Sequence, residues 1–156
     1  MKKWIIITII AVCGAIMLLG LRLFYHSEIS GDTPPIPTVS VSDERALQVN
    51  LGSYTWKAAV DTFTDYNQFL SNLTTVAPGT ELQIAFSNKP KPKSIEVTIA
   101  QKAQGDLWIE NGLLIAIKGG SGAIEVPYEK GTYVYRLSAA WEFGTAASYY
   151  FSVEVK

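Results

Sequence analysis

A chain of 156 residues has room for one domain and an appendage. Its 48% hydrophobic share goes with only 17% charged residues, below the roughly 25% usual for soluble domains. A net charge of −1 gains nothing from a polyanion's counterion release, which argues against a nucleic-acid partner. The one cysteine, Cys13, and the one histidine, His26, sit in and just after an N-terminal apolar stretch. Disulfides, a thiolate nucleophile, Cys-based zinc sites and a Ser-His-Asp triad therefore drop out for the rest of the chain.

The apolar run from Trp4 to Leu21 is broken only by Thr8 and by small Gly and Ala residues. As a helix it would reach roughly 27 Å, close to the hydrocarbon thickness of a bilayer. Leu23, Phe24 and Tyr25 extend it if Arg22 snorkels toward the headgroups, and Trp4 and Tyr25 stand where aromatic residues favour the interface. The pattern predicts a cytoplasmic N-terminus at 1–3 and a transmembrane helix at 4–25. Lys2 and Lys3 outweigh Arg22, so the C-terminus is expected to cross the membrane. Three other readings stay open. Cleavage after Ala15 would leave the apolar stump Ile16-Met17-Leu18-Leu19. A lipobox ending at Cys13 would put valine before the cysteine and no polar linker after it. A buried core helix would need a polar face that this run lacks. Residues 26–37 follow as a proline-containing linker, with Pro34, Pro35 and Pro37 favouring extended geometry.

From 38 to 156 the pattern changes to short strand-like segments punctuated by turns. The expected strands are Thr38–Ser42, Leu47–Leu51, Ser53–Ala59, Glu81–Ser87, Ser94–Gln101, Leu107–Glu110, Leu113–Lys118, Ala123–Val126, Thr132–Trp141 and Ser148–Val155. Alternation is clearest at the end, where Tyr149, Phe151, Val153 and Val155 share one face. Asn111-Gly112 between two apolar runs predicts a hairpin. Asp61–Leu73 resists a strand reading. Its Phe63, Tyr66, Phe69, Leu70 and Leu73 fit a short helix or an ordered loop. Glu129-Lys130-Gly131-Thr132-Tyr133-Val134-Tyr135 has the shape of a tyrosine corner, with Tyr135 where antibody domains carry a cysteine. The expected fold is all-β, an immunoglobulin-like antiparallel β-sandwich preceded by one N-terminal transmembrane helix.

Gly52-Ser53-Tyr54-Thr55-Trp56 near the domain start carries a resemblance. So do the closing Lys130–Tyr135 stretch, Trp141, and Gly144-Thr145-Ala146-Ala147-Ser148-Tyr149-Tyr150-Phe151-Ser152-Val153-Glu154-Val155. From Thr38 to Lys156 the chain resembles small secreted or membrane-anchored immunoglobulin-like domain proteins of Gram-positive bacteria, often lipoproteins. The resemblance implies a single extracytoplasmic sandwich and supplies no catalytic residues. Many relatives carry Cys where Thr55 stands, and the anchor here differs from the lipoprotein type.

Candidate binding residues are few. Trp56, Trp108 and Trp141, with Tyr54, Tyr149 and Tyr150, either fill the core or form a stacking platform. Trp108, flanked by Asp106, Glu110 and Asn111, is the candidate for exposure. Lys89, Lys91 and Lys93 alternate with prolines on a short loop, which suits anionic lipid headgroups, wall polyanions, or simply a solvated turn. Asp61 and Asp65, with Asp43 and Glu44 elsewhere, lack the ligand series of a Ca²⁺ loop, and Gly119-Gly120-Ser121-Gly122 lacks the Lys-Ser/Thr of a phosphate cradle. No catalytic residue, cofactor or metal is expected. The expected function is a non-enzymatic, membrane-tethered extracytoplasmic interaction module of the cell envelope, partnered by another envelope protein or a wall polymer. The alternative is a carbohydrate-recognition domain using exposed aromatic residues.

Overall fold

The computed structural model describes residues 2–28, 32–41, 45–62 and 65–156, in two compact units, Met1–Gly31 and Asp32–Lys156. The first is a single helix, α1 (Lys2–Glu28), free of proline and rich in Ile and Leu. Its described side chains, those of 7–21, are all exposed, including Ile10 at 66% and Leu18 at 70%. Among the described residues no helix is long and apolar enough to cross a membrane. The expected anchoring side chains Trp4, Arg22 and Tyr25, and His26 with them, lie outside the described side chains.

The second unit is a β-sandwich. Its strands are β1 (Thr38–Val41), β2 (Arg45–Leu47), β3 (Asn50–Thr55), β4 (Ala59–Val60), β5 (Thr74–Val76), β6 (Glu81–Ala85), β7 (Ser94–Lys102), β8 (Trp108–Lys118), β9 (Ser121–Glu125), β10 (Gly131–Ala140) and β11 (Ala146–Val155). One sheet runs β2-β1-β6-β9. The larger runs β4-β3-β11-β10-β7-β8, with short β5 pairing parallel to β11. Period-two burial explains the arrangement. Tyr133, Tyr135, Leu137 and Ala139 of β10 and Tyr149, Phe151, Val153 and Val155 of β11 all point inward and are buried.

The expected hairpin at Asn111-Gly112 does not form. Residues 108–118 make one continuous strand whose two halves both pair with β7. The ladder absorbs the Asn-Gly pair by register shifts around Thr98, so the extra residues bulge instead of turning the chain. Leu47–Leu51 likewise divides, its first residue ending β2 and its last joining β3. Asp61–Leu73 becomes a 3-10 helix, Tyr66–Asn72, capped by Asp65, whose Oδ1 accepts from Asn67 N at 2.9 Å. Phe63 lies outside the described residues.

The core is aromatic. Tyr135 and Phe151 stack at 4.8 Å, and Phe86 meets Trp141 and Tyr149 edge-on, each at 5.6 Å. Polar tips of these rings fix the chain around them. The Tyr133 hydroxyl donates to Glu129 O at 2.8 Å, the tie expected at that corner. Trp141 Nε1 donates to Pro90 O at 2.8 Å and the Tyr149 hydroxyl to Pro35 O at 2.7 Å. Pro34 and Pro37 are buried as well. The end of the expected linker, from Asp32, therefore belongs to the domain unit, with Pro34 and Pro37 buried and the Pro35 carbonyl held by Tyr149.

Candidate functional site

The outer face of the larger sheet is half covered and half open. Its covered half lies under the 3-10 helix. Phe69 stacks on Tyr150 at 4.8 Å over Val134, and the Ser152 hydroxyl donates to Phe69 O at 2.7 Å. This is why Tyr150 and Ser152, outward on β11, are nevertheless buried. Gly52 is required beside them: a Cβ there would meet Tyr150 Cε2 at 2.5 Å.

Trp108 forms the rim of this cover and is half-buried. Its ring lies 5.4 Å from Tyr66, its Nε1 donates to Asn67 Oδ1 at 3.3 Å, and Lys102 Nζ stands 6.0 Å over it. The Tyr66 hydroxyl donates to the Glu110 carboxylate. Burial first, then that hydrogen bond and the Glu110 charge, push the Tyr66 hydroxyl up to about 12, against an opposing effect of Arg136. Tyr66, Glu110, Thr98 and Arg136 line a hollow of about 160 Å³. Arg136 Nε donates to Thr98 Oγ1 at 3.2 Å.

Further along the same face lies an open groove of about 370 Å³. Ser138, Ala140, Ala146 and Ser148 line it, with Tyr54 and Asp61 to one side and Glu96 to the other. Ser53 Oγ donates to Asp61 Oδ1 at 2.9 Å and accepts from Thr62 N at 2.9 Å, which fixes that carboxylate. Small side chains on adjacent central strands leave the groove open, since nothing on them rises to fill it.

Lys89, Lys91 and Lys93 are exposed, while the intervening Pro90 and Pro92 are buried. Lys93 Nζ pairs with Glu142 at 3.5 Å, both side chains exposed. The lysines and Trp108 do not form one site. Lys102, on β7, pairs with Trp108 at one end of β8, and Ser94 pairs with Lys118 at the other, next to the lysine loop. Eleven residues of strand separate those ends by about 33 Å. Asp61 and Asp65 are occupied by Ser53 and by the helix cap, and Asp43 and Glu44 lie outside the described residues. Among the described residues no group of three His, Cys, Asp or Glu side chains is placed to hold a metal ion. Gly119 takes a φ of +81° in an ordinary turn. Sequence reasoning passed over Arg136. The available signal was its position as the sole charge in the ten residues of β10, at an outward register.

Comparison with protein-family models and with curated proteins finds no match. Among solved structures the chain is similar to the PmoD soluble domain from Methylocystis sp. ATCC 49242 (Rockwell). The TM-score is 0.36 and the identity 12%, over 76% of this chain and 97% of that one. A likeness of that degree carries no argument about function.

Proposed function

We propose that the protein is a membrane-tethered extracytoplasmic interaction module of the bacterial cell envelope. In this reading an immunoglobulin-like sandwich is held by one membrane-spanning helix, with the N-terminus cytoplasmic and the domain outside. The observation that carries the interaction reading is the uncovered half of the larger sheet, a shaped groove beside a face otherwise closed by the 3-10 helix. Its partner is another envelope protein or a wall polymer.

Several features support the finer parts. Strands β1, β6 and β9 oppose β11-β10-β7-β8, the chain crosses between sheets at β6–β7 and β9–β10, and the Tyr133 tie sits at the second crossing. Tyr135, two residues on, stacks on Phe151 where antibody domains place a covalent link. For the anchor, the support is in the sequence, where the apolar run Trp4–Leu21 follows Lys2 and Lys3. The resemblance to Gram-positive envelope proteins points to the same location.

C-terminal fusions to alkaline phosphatase and to GFP test the orientation; a fluorescent GFP with an inactive phosphatase overturns it. A photo-crosslinking residue at Glu96 in the groove is expected to capture one dominant partner in living cells. The same residue at Gln83, exposed on the smaller sheet, is expected to capture none. Equal capture at both sites removes the groove from the reading.

The second reading is recognition of a wall saccharide. It is favoured by the groove's hydroxyl lining, Ser94, Ser138 and Ser148 beside Tyr54. Glu96→Gln is expected to weaken binding of peptidoglycan or teichoic-acid fragments while leaving the thermal melt unchanged. Unaltered binding retires this reading.

A further inference from the structure

The two ends of the sandwich differ in charge, and strand register says which end the chain enters. Thr38, first residue of β1, lies beside Ala85, last residue of β6. The 86–93 loop that follows β6 is therefore at the entry end. Upstream of Thr38, Asp32 pairs with Lys57 at 3.2 Å, and Lys57 follows Trp56, whose ring lies 5.1 Å from Trp141. Trp141 in turn bonds the Pro90 carbonyl of the lysine loop. By register the end of β8 at Lys118 is there too, and a Cβ at Gly120, in the turn just after it, would lie 3.0 Å from Lys91 Cβ.

This end thus gathers Lys57, Lys89, Lys91, Lys93 and Lys118. Asp32 and Glu142 pair with Lys57 and Lys93, and Asp61 and Glu96 stand in the groove nearby, so Lys89, Lys91 and Lys118 carry most of the positive charge at this end. The far end carries Glu81, Asp106, Glu125, Glu129 and Glu154 with Arg45, Lys102, Lys130 and Lys156. What distinguishes the lysine end is the cluster of Lys89, Lys91 and Lys93 on one short loop with Lys118 beside it.

The lysines are also held in place. Lys93 N donates to Ala140 O at 2.8 Å, Gly119 N donates to Lys93 O at 2.9 Å, and Pro90 and Pro92 are buried. A partner would have only side chains to order, not backbone. Ile36, 55% exposed between buried Pro34 and Pro37, adds an apolar tip at the same end.

We infer that the lysine end of the domain docks on an anionic phospholipid bilayer, the one in which its own helix is anchored. This rests on the tether reading above. Each lysine removed is expected to weaken docking roughly five-fold, less for Lys93 because of Glu142. Raised salt is expected to release the domain.

The test is hydrogen exchange on the full chain in nanodiscs of phosphatidylcholine alone or mixed with phosphatidylglycerol. The amides of 87–93 and 119–121 are expected to slow in the mixed discs. The substitutions K89Q, K91Q and K93Q together should abolish the slowing. K102Q and K130Q, which remove charge from the far end, should not. Failure of the chain to co-migrate with either disc overturns the tether reading and the inference with it. Incorporation into both discs with identical loop exchange overturns the docking inference alone. Stronger slowing by soluble teichoic acid in phosphatidylcholine discs assigns the surface to a wall polymer and overturns the lipid as its occupant.

Discussion

The two faces of the larger sheet each carry a stacked aromatic pair, and the pairs live in different surroundings. Inside, Tyr135 and Phe151 lie 4.8 Å apart with neither ring exposed, enclosed by a second sheet. Outside, Phe69 and Tyr150 lie at the same 4.8 Å, but Phe69 comes from a seven-residue 3-10 helix. That cover is held by the Asp65 cap, the Ser152 bond and the rim at Trp108. The same ring contact is thus global structure on one face and local structure on the other. Local structure of few contacts opens first.

The largest expected effect breaks the inner pair. Phe151→Ala should cost about 3–5 kcal/mol in urea melts, the range for deleting a fully buried aromatic side chain. Phe69→Ala should cost less, about 2–3 kcal/mol, because a site under a surface cover can collapse. It should also red-shift Trp108 fluorescence as Tyr66 and Asn67 leave the ring, with the inner core intact. Equal costs for the two substitutions would erase the distinction between the faces.

Alkaline pH separates the faces next. Burial raises the Tyr135 and Tyr149 hydroxyls well above their ordinary value, whereas Tyr66 reaches about 12 with help from Glu110. The unfolded chain releases these protons near pH 10, so above that pH it binds fewer protons than the fold and stability falls. The stabilisation is complete below about pH 10 and declines by about 1 kcal/mol per pH unit for each inner tyrosine. Urea melts on either side of that pH, paired with the tyrosinate absorbance, measure it. Tyr66 should titrate before the inner rings. The smallest effect is Tyr133→Phe, about 1 kcal/mol for the lost tie to Glu129 in the same melts.

Much of the inner face was legible in the chain. Strict alternation in Thr132–Trp141 and Ser148–Val155 put the right residues inside, since period two leaves no choice once one face is buried. The Tyr133 corner was legible because it needs only residues four apart. The outer face was not. Tyr150 and Ser152 sit at positions that alternation assigns to solvent, and their burial depends on a helix more than seventy residues upstream. Trp108 is a candidate for exposure on sequence grounds, and its half-burial depends on Tyr66 and Asn67, which lie about forty residues upstream.

Sequence by itself determined the β-rich domain, its turns' chemistry, the apolar helix and the alternation of lysine with proline at 89–93. These are properties of neighbours along the chain, where local geometry and hydrophobic period act. Tertiary structure alone decided that Asn111-Gly112 would bulge rather than turn, because β7 was long enough to pair both flanking segments. It alone decided that five lysines would collect where the chain enters, because strand register, not sequence distance, sets which loops share an end.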